Sequence, residues 1–178
     1  TALVVSREWE RGTIEALLAT PVGIVEFIIG KLVPNFLLGM GAMAVCVLAA
    51  LFVLDIPLRG SLLALFGFTA VFLLVALSLG LLISTVARTQ FVASQMAMLV
   101  AFLPGLYFSG FMFEIASMPL PLRLFAKIVP ANYYVRGLQT IFLAGDIRSV
   151  LLPCTAVLLL MSAVLFALTA RNTKQRLD

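Results

Sequence analysis

Polar residues fall in a few short islands along this chain, and the apolar runs between them fix its plan. Leu32 to Leu54 carries no charge over 23 residues, Leu62 to Val86 none over 25, and Phe91 to Phe113 none over 23. Each exceeds the ~20 residues that a helix needs to cross a hydrocarbon core. A fourth run, 150–170, is stopped by Arg171, Lys174 and Arg176. Four membrane-spanning helices are therefore predicted over 32–54, 62–86, 91–113 and 150–170. Asp55, Pro57, Arg59 and Gly60 form a tight polar turn after the first, and Arg88, Thr89 and Gln90 a shorter one after the second. Helices joined so closely are expected to be antiparallel neighbours. Pro34 predicts a kink in the first helix, whereas Pro153 falls in the permissive first turn of the last.

Two stretches interrupt this plan. Between Arg7 and Glu15, charge falls on Arg7, Glu8, Glu10, Arg11 and Glu15, with Gly12 between two short helical halves. Beyond Gly12, Ile14, Leu17 and Leu18 share one face while Thr13 and Glu15 point elsewhere. Residues 6–20 are thus expected as an amphipathic segment lying along the membrane surface, its charges offered to water or to a partner. Thr20 followed by Pro21 then starts the first long helix. The second interruption, 114–149, stays rich in Leu, Phe and Ile but is broken by Pro119, Pro121, Pro130 and Gly145. Pro121 to Val129 suffices for two turns, and a further helix is expected from Asn132, as cap, to Gly145. Neither spans a bilayer. Irregular backbone at membrane depth survives only when buried in protein or lining a wet cavity, so a re-entrant pair of half-helices is expected here, returning to the side it left.

The third helix carries small residues at a strict spacing of four: Ala93, Ala97, Ala101, Gly105 and Ser109. Shorter versions occur on the second helix (Ala76, Gly80, Ser84) and the first (Ala42, Cys46, Ala50). Membrane helices associate by close packing, which such stripes permit. Ordinary packing within the bundle and a seam with a second copy both fit. Phe102 and Phe108, with Phe111 and Met112, would suit a lipophilic or amphipathic cargo, although aromatics near an interface also serve as anchors.

Composition sharpens the class. With 63% hydrophobic residues, 11% charged residues and a mean hydropathy of +1.18, the chain is expected to be an all-α integral membrane protein. Its net charge of +4, from 12 basic and 8 acidic residues, suits anionic lipid; the basic residues are too scattered for a nucleic-acid footprint. There is no His, and Cys46 and Cys154 sit inside apolar runs without a C-x-x-C pattern, so neither a metal set nor a redox pair is indicated. No nucleophile with a base and no intramembrane carboxylate pair occurs, hence no catalytic residue is named. Gly30-Lys31 resembles half of a phosphate-binding loop, but Val25 stands where the first glycine should be and Leu32 follows the lysine. Work by this chain would draw on another polypeptide or an ion gradient. Seven basic residues lie on the side of the termini (Arg7, Arg11, Lys31, Arg88, Arg171, Lys174, Arg176) against five on the other, which favours cytoplasmic ends. The first residue, Thr1, follows no leader pattern, and an N-terminal part is expected to precede it.

The run from Glu10 to Pro21 resembles the E-x-G-T-x-E-x-L-x-x-T-P signature that type-two ABC exporter permeases carry on their cytoplasmic side. Met118-Pro119, then Pro130-Ala-Asn-Tyr-Tyr134, Arg136, Ile141 and Gly145-Asp146, is similar to the re-entrant segment before the last helix of the same family. The tail from Arg171 to Arg176 departs from it, lacking the tight basic and aromatic ending. The resemblance implies the C-terminal part of a permease in a bacterial inner membrane, dimerising with a second permease subunit and driven by ATP-binding cassette subunits. Residues 6–20 would then be a cytoplasmic coupling helix, with Glu8, Glu10, Arg11, Gly12, Thr13 and Glu15 facing the ATPase. Glu114, Pro119, Pro130, Tyr133, Tyr134 and Arg136 would belong to a re-entrant gate, and Ala97, Ala101, Phe102, Gly105, Phe108 and Ser109 to a pathway or dimer seam. No cofactor is expected on this chain, ATP and Mg belonging to the partner subunit. The rival readings are a membrane scaffold without transport and an ion-coupled carrier. The carrier is disfavoured because no intramembrane acid flanks paired, unwound half-helices.

Overall fold

The computed structural model describes residues 24–87, 89–113 and 115–175, and among them every regular element is helical. The amphipathic stretch 6–20 lies outside the described residues. Helix α1 spans Ile24–Phe52, with Pro34 inside it. Helix α2 spans Leu62–Val86; Ser61, in extended conformation, caps it by accepting the Ala64 N–H at 3.1 Å. Helix α3, Gln90–Phe108, is capped by Thr89, whose hydroxyl accepts the Val92 N–H at 3.3 Å. After Met96 it widens into a π-turn over Ala97–Phe102 before resuming at Leu103–Phe108. Two short helices come next, α4 (Leu120–Ala126) and α5 (Pro130–Gln139), and then α6 (Arg148–Gln175). The spans long and apolar enough to cross a membrane are Leu32–Phe52, Leu62–Val86, Gln90–Phe108 and Arg148–Asn172.

Several boundaries differ from those the sequence suggests. α3 ends five residues before Phe113: Ser109 Oγ accepts the Phe111 N–H at 3.3 Å and Gly110 adopts a positive φ of 82°. These turn the chain although hydrophobicity continues. The first short helix starts at Leu120 and ends at Ala126, and the second starts at Pro130, with Val129 at its cap position. Pro130 initiates the helix because its fixed φ suits the first turn and no N–H is wasted there. Asn132 is therefore inside α5 rather than its cap. α6 runs past Arg171, since charge ends a membrane span without ending a helix.

Packing centres on α2. It lies against α1, α5, α6 and the start of α3, and its Leu65, Phe68 and Val75 join Val47 of α1, Ile141 after α5, and Cys154 and Leu158 of α6 in one buried cluster. Polar groups on α2 close onto their own helix: Thr69 Oγ1 donates to the Leu65 carbonyl at 2.9 Å, Ser78 Oγ to Leu74 at 2.6 Å and Thr85 Oγ1 to Leu82 at 2.8 Å. Such back-bonding lets hydroxyls occupy an apolar interior without an orphaned donor.

Candidate functional site

The proline-broken insert between α3 and α6 folds back on α2, and aromatic residues seat it there. Tyr134 of α5 stacks on Phe72 with ring centroids 4.0 Å apart and planes 7° from parallel, and on Phe68 at 5.8 Å. Its hydroxyl lies 3.1 Å from Thr69 Oγ1. Burial raises the ionisation of this phenol above its ordinary range, against a smaller opposing effect of the Thr69 hydrogen bond, so the ring meets α2 as a neutral hydroxyl. One turn on, Gly137 is buried where a Cβ would collide with the Phe68 ring. The close approach of α5 to α2 thus depends on a missing side chain.

The insert is also tied internally. Asn132 Nδ2 donates to the Ala126 carbonyl at 3.1 Å and Tyr133 Oη to the Lys127 carbonyl at 2.9 Å. Two side chains of α5 thereby satisfy carbonyls at the C-terminus of α4, which a helix end leaves without partners. Phe108, at the end of α3, meets Phe125 of α4 edge-on at 5.2 Å.

A third set of contacts clasps the α1–α2 turn to the chain just after α5. A π-turn over Thr140–Ala144 ends at Gly145, whose φ is 91°. Across from it, the Gly60 N–H donates to the Ile141 carbonyl at 2.9 Å, the Arg59 N–H to Phe142 at 3.4 Å, and an Arg59 guanidinium nitrogen to Leu143 at 3.2 Å. The Asp146 carboxylate accepts the Ser61 N–H at 3.0 and 3.1 Å. That places a negative charge at the N-terminus of α2, where the helix dipole favours it. Gly60 has no room for a Cβ, which would lie 2.7 Å from both Asp146 Oδ1 and Ile141 Cγ2.

Between α3 and α6, over α2, lies a cavity of about 560 Å³. Phe72 and Val75 form its floor, Ala101 and Gly105 one wall, Met161 and Val164 the other, and residues 128–131 close one end. A second cavity, about 460 Å³, lies between the end of α3 and α4 and takes in Tyr107, Phe108 and Pro119.

The structure unites some of the residues singled out by sequence and separates others. Tyr133, Tyr134 and Pro130 hold the insert together and against α2, Pro119 stands at the cap position of α4, and Arg136 is exposed. Ala101 and Gly105 share a cavity wall, Ala97 sits in the π-turn, Phe102 is 59% exposed, and Ser109 is buried with its hydroxyl turned to its own backbone. Glu114 and the set Glu8, Glu10, Arg11, Gly12, Thr13 and Glu15 lie outside the described residues. Sequence reasoning passed over Phe68, Phe72, Thr69 and Gly137, and did not pair Asp146 with Ser61. The hydrophobic surroundings hide the first four, and 85 residues separate the last two.

Fold and site together define a helical, multi-pass membrane protein with a proline-broken helical insert packed before its last crossing. The chain belongs to the ABC-2 family of transporter proteins, whose sequence model matches residues 1–171. It is 51% identical, over its whole length, to the probable multidrug ABC transporter permease YbhS of Escherichia coli K12, covering 47% of that protein. It is 33% identical over 80% of its length to the probable multidrug ABC transporter permease YbhR of the same organism, covering 39% of it. ABC transporter G family member 20 of Dictyostelium discoideum is 28% identical over 82% of the chain, which spans 20% of that protein. The chain thus spans about half the length, or less, of the curated relatives it matches. No solved structure matches it significantly.

Proposed function

We propose that the chain is part of a permease subunit of an ATP-driven exporter, which moves a lipophilic or amphipathic substrate across a bacterial inner membrane. The observation that carries this reading is the family match over residues 1–171, on a chain whose described residues hold four spans and a proline-broken insert in the expected order. The relatives named as multidrug ABC transporter permeases support it. ATP and Mg would be bound by a separate or fused cassette subunit, and a second permease subunit would complete the pore. Both ends of the chain would face the cytoplasm, lipids would surround the bundle, and the α4–α5 insert would enter the opposite leaflet and return.

Coupling is part of the same reading. An amphipathic element at 6–20, as the sequence pattern leads one to expect, would convert a nucleotide-dependent push into helix tilt, a two-state change of the kind coupling requires. Glu15→Lys in the full-length permease should weaken docking of the cassette subunit by about 1–3 kcal/mol if the carboxylate is paired at that interface. Co-purification of the cassette subunit and substrate-stimulated ATPase activity in proteoliposomes measure this. Wild-type values in both assays would leave an interfacial anchor and favour a scaffold without transport.

A further inference from the structure

The wall that α3 gives to the 560 Å³ cavity is also where this helix cannot complete its own hydrogen bonds. The Leu103 N–H reaches the Met98 carbonyl, five residues back, and the next residue, Pro104, has no N–H. Position 104 therefore serves neither the Val100 carbonyl four residues back nor the Leu99 carbonyl five back. The next donor, the Gly105 N–H, has both Val100, five back, and Ala101, four back, to serve. The carbonyls of Val100 and Ala101, which line the cavity, therefore share one helical donor, while that of Leu99, which does not line it, has none. The neighbouring hydroxyls are engaged elsewhere: Ser94 donates to Phe91 and Ser109 to Leu106.

Val100, Ala101, Pro104 and Gly105 all line the cavity, whose remaining side chains are hydrocarbon apart from the Met161 thioether. Nearby hydroxyls on the other walls also turn inward to their own helices, Ser78 to Leu74 and Ser162 to Leu159. An ordered water needs two to four polar partners, and these walls do not supply them. An acceptor at membrane depth nevertheless demands a donor.

We propose that this cavity binds the apolar body of an amphiphile carrying one hydrogen-bond donor, a hydroxyl or an amine N–H, which the α3 backbone near Val100 receives. The proposal rests on the permease reading and gives its cargo a chemical class. The hydrocarbon walls accept the body much as lipid does and do not by themselves discriminate. The π-turn followed by Pro104 supplies the single polar anchor and thereby the selectivity.

The test uses the full-length permease in lipid nanodiscs, without nucleotide or cassette subunit, so that its outcome is separable from coupling. The probes are a long-chain alcohol bearing a diazirine in its tail and the methyl ether of the same alcohol. On irradiation the alcohol should label residues 160–165 about fivefold more than the ether, as one net hydrogen bond of ~1 kcal/mol gives. Pro104→Ala supplies the missing N–H and should bring the alcohol down to the ether's level. Ala101→Trp fills the cavity and should remove labelling by both probes, while Leu38→Trp, on the exposed face of α1, should change nothing. Equal labelling of the wild type by the two probes, or a preference that survives Pro104→Ala, would overturn the proposal. So would protection of 160–165 from both probes, which would show the cavity filled by another part of the full-length chain. Cassette docking can succeed or fail independently of any of these results.

Discussion

Helices α2 and α3 are consecutive, antiparallel and both apolar enough to cross a membrane, yet the fold uses them in opposite ways. Ten of the 25 residues of α2 are buried, against one of the 19 of α3. α2 is regular from Ser61 to Ala87 and has α1, α5 and α6 around it; α3 is interrupted by a π-turn and a proline and buries only Ala93 over its first thirteen residues. Hydrophobicity, then, places a helix in the membrane without deciding what it touches. Apolar side chains facing lipid gain nothing by moving against another helix unless they pack well or satisfy a polar group. α2 does both, through Phe68, Phe72, Thr69 and the cap at Ser61. α3 does so mainly at its ends, which leaves its middle free to line a cavity.

The contrast is tested first where α5 meets α2. Tyr134→Ala removes a ring stacked on Phe72 and Phe68 and should cost about 3 kcal/mol, discounted from a full aromatic deletion because the residue is only half-buried. Tyr134→Phe keeps the stack and loses only the Thr69 hydrogen bond, so about 1 kcal/mol is expected. Unfolding by SDS in mixed micelles gives both values, and equal losses would assign the site to its hydroxyl rather than its ring. Gly137→Ala comes next, at about 2 kcal/mol, because the new methyl group meets the Phe68 ring and forces α5 away from α2. Gly67→Ala, with nothing within 4 Å, should be neutral or stabilising by up to about 1 kcal/mol. If the two alanines behave alike, α5 does not sit on α2 as described.

These sites also show what the sequence could carry. The bounds of α2 are legible because an uncharged apolar run meets a polar turn at each end. The proline-broken pair is legible because Pro119, Pro130 and Gly145 forbid a continuous span. The π-turn is not, for hydropathy counts residues along a helix and says nothing of whether carbonyls are met four or five residues on. The same limit hides the end of α3 at Phe108: Ser109 and Gly110 stop the helix through hydrogen bonding and a positive φ inside a run that stays apolar to Phe113. The even spacing of Ala93, Ala97, Ala101 and Gly105 suggests one straight stripe. An extra residue in the π-turn rotates the later part of the helix, so Ala93 is buried while Ala101 and Gly105 border the cavity. The role of Asn132 is obscured for a related reason. Its type suits a cap, but Pro130 has already begun the helix, and the side chain is spent on the Ala126 carbonyl.

A smaller effect is expected at the clasp. Asp146→Ala takes the acceptor from the Ser61 N–H but leaves the Gly60 and Arg59 bonds to residues 141–143, so about 1 kcal/mol should be lost. The readout is amide hydrogen exchange at Ser61 and its neighbours, which should accelerate at the N-terminus of α2 and leave the middle of that helix unchanged. Faster exchange throughout α2 would show that the clasp holds the whole helix in place rather than its first turn.

The smallest effect is expected on α3. Phe102 is as large as the rings around Tyr134, but it is 59% exposed and leaves the helix from the π-turn. Its removal uncovers little that is covered in this chain. Phe102→Ala should shift unfolding of the isolated chain by less than about 0.5 kcal/mol, as exposed substitutions away from special geometry do. In the full-length protein the same change separates two situations. Where lipid alone touches α3, the small value should persist; where a second subunit seats a side chain against Phe102, truncation should cost the dimer about 2 kcal/mol or more, as a central aromatic at an interface does. Dimer dissociation on dilution in detergent distinguishes them. The expected outcome comes from the unpaired middle of α3: the monomer is indifferent to Phe102, and any large effect is confined to the subunit equilibrium. A loss of several kcal/mol in the isolated chain would mean that α3 is held as firmly as α2, and the distinction between the two helices would fall.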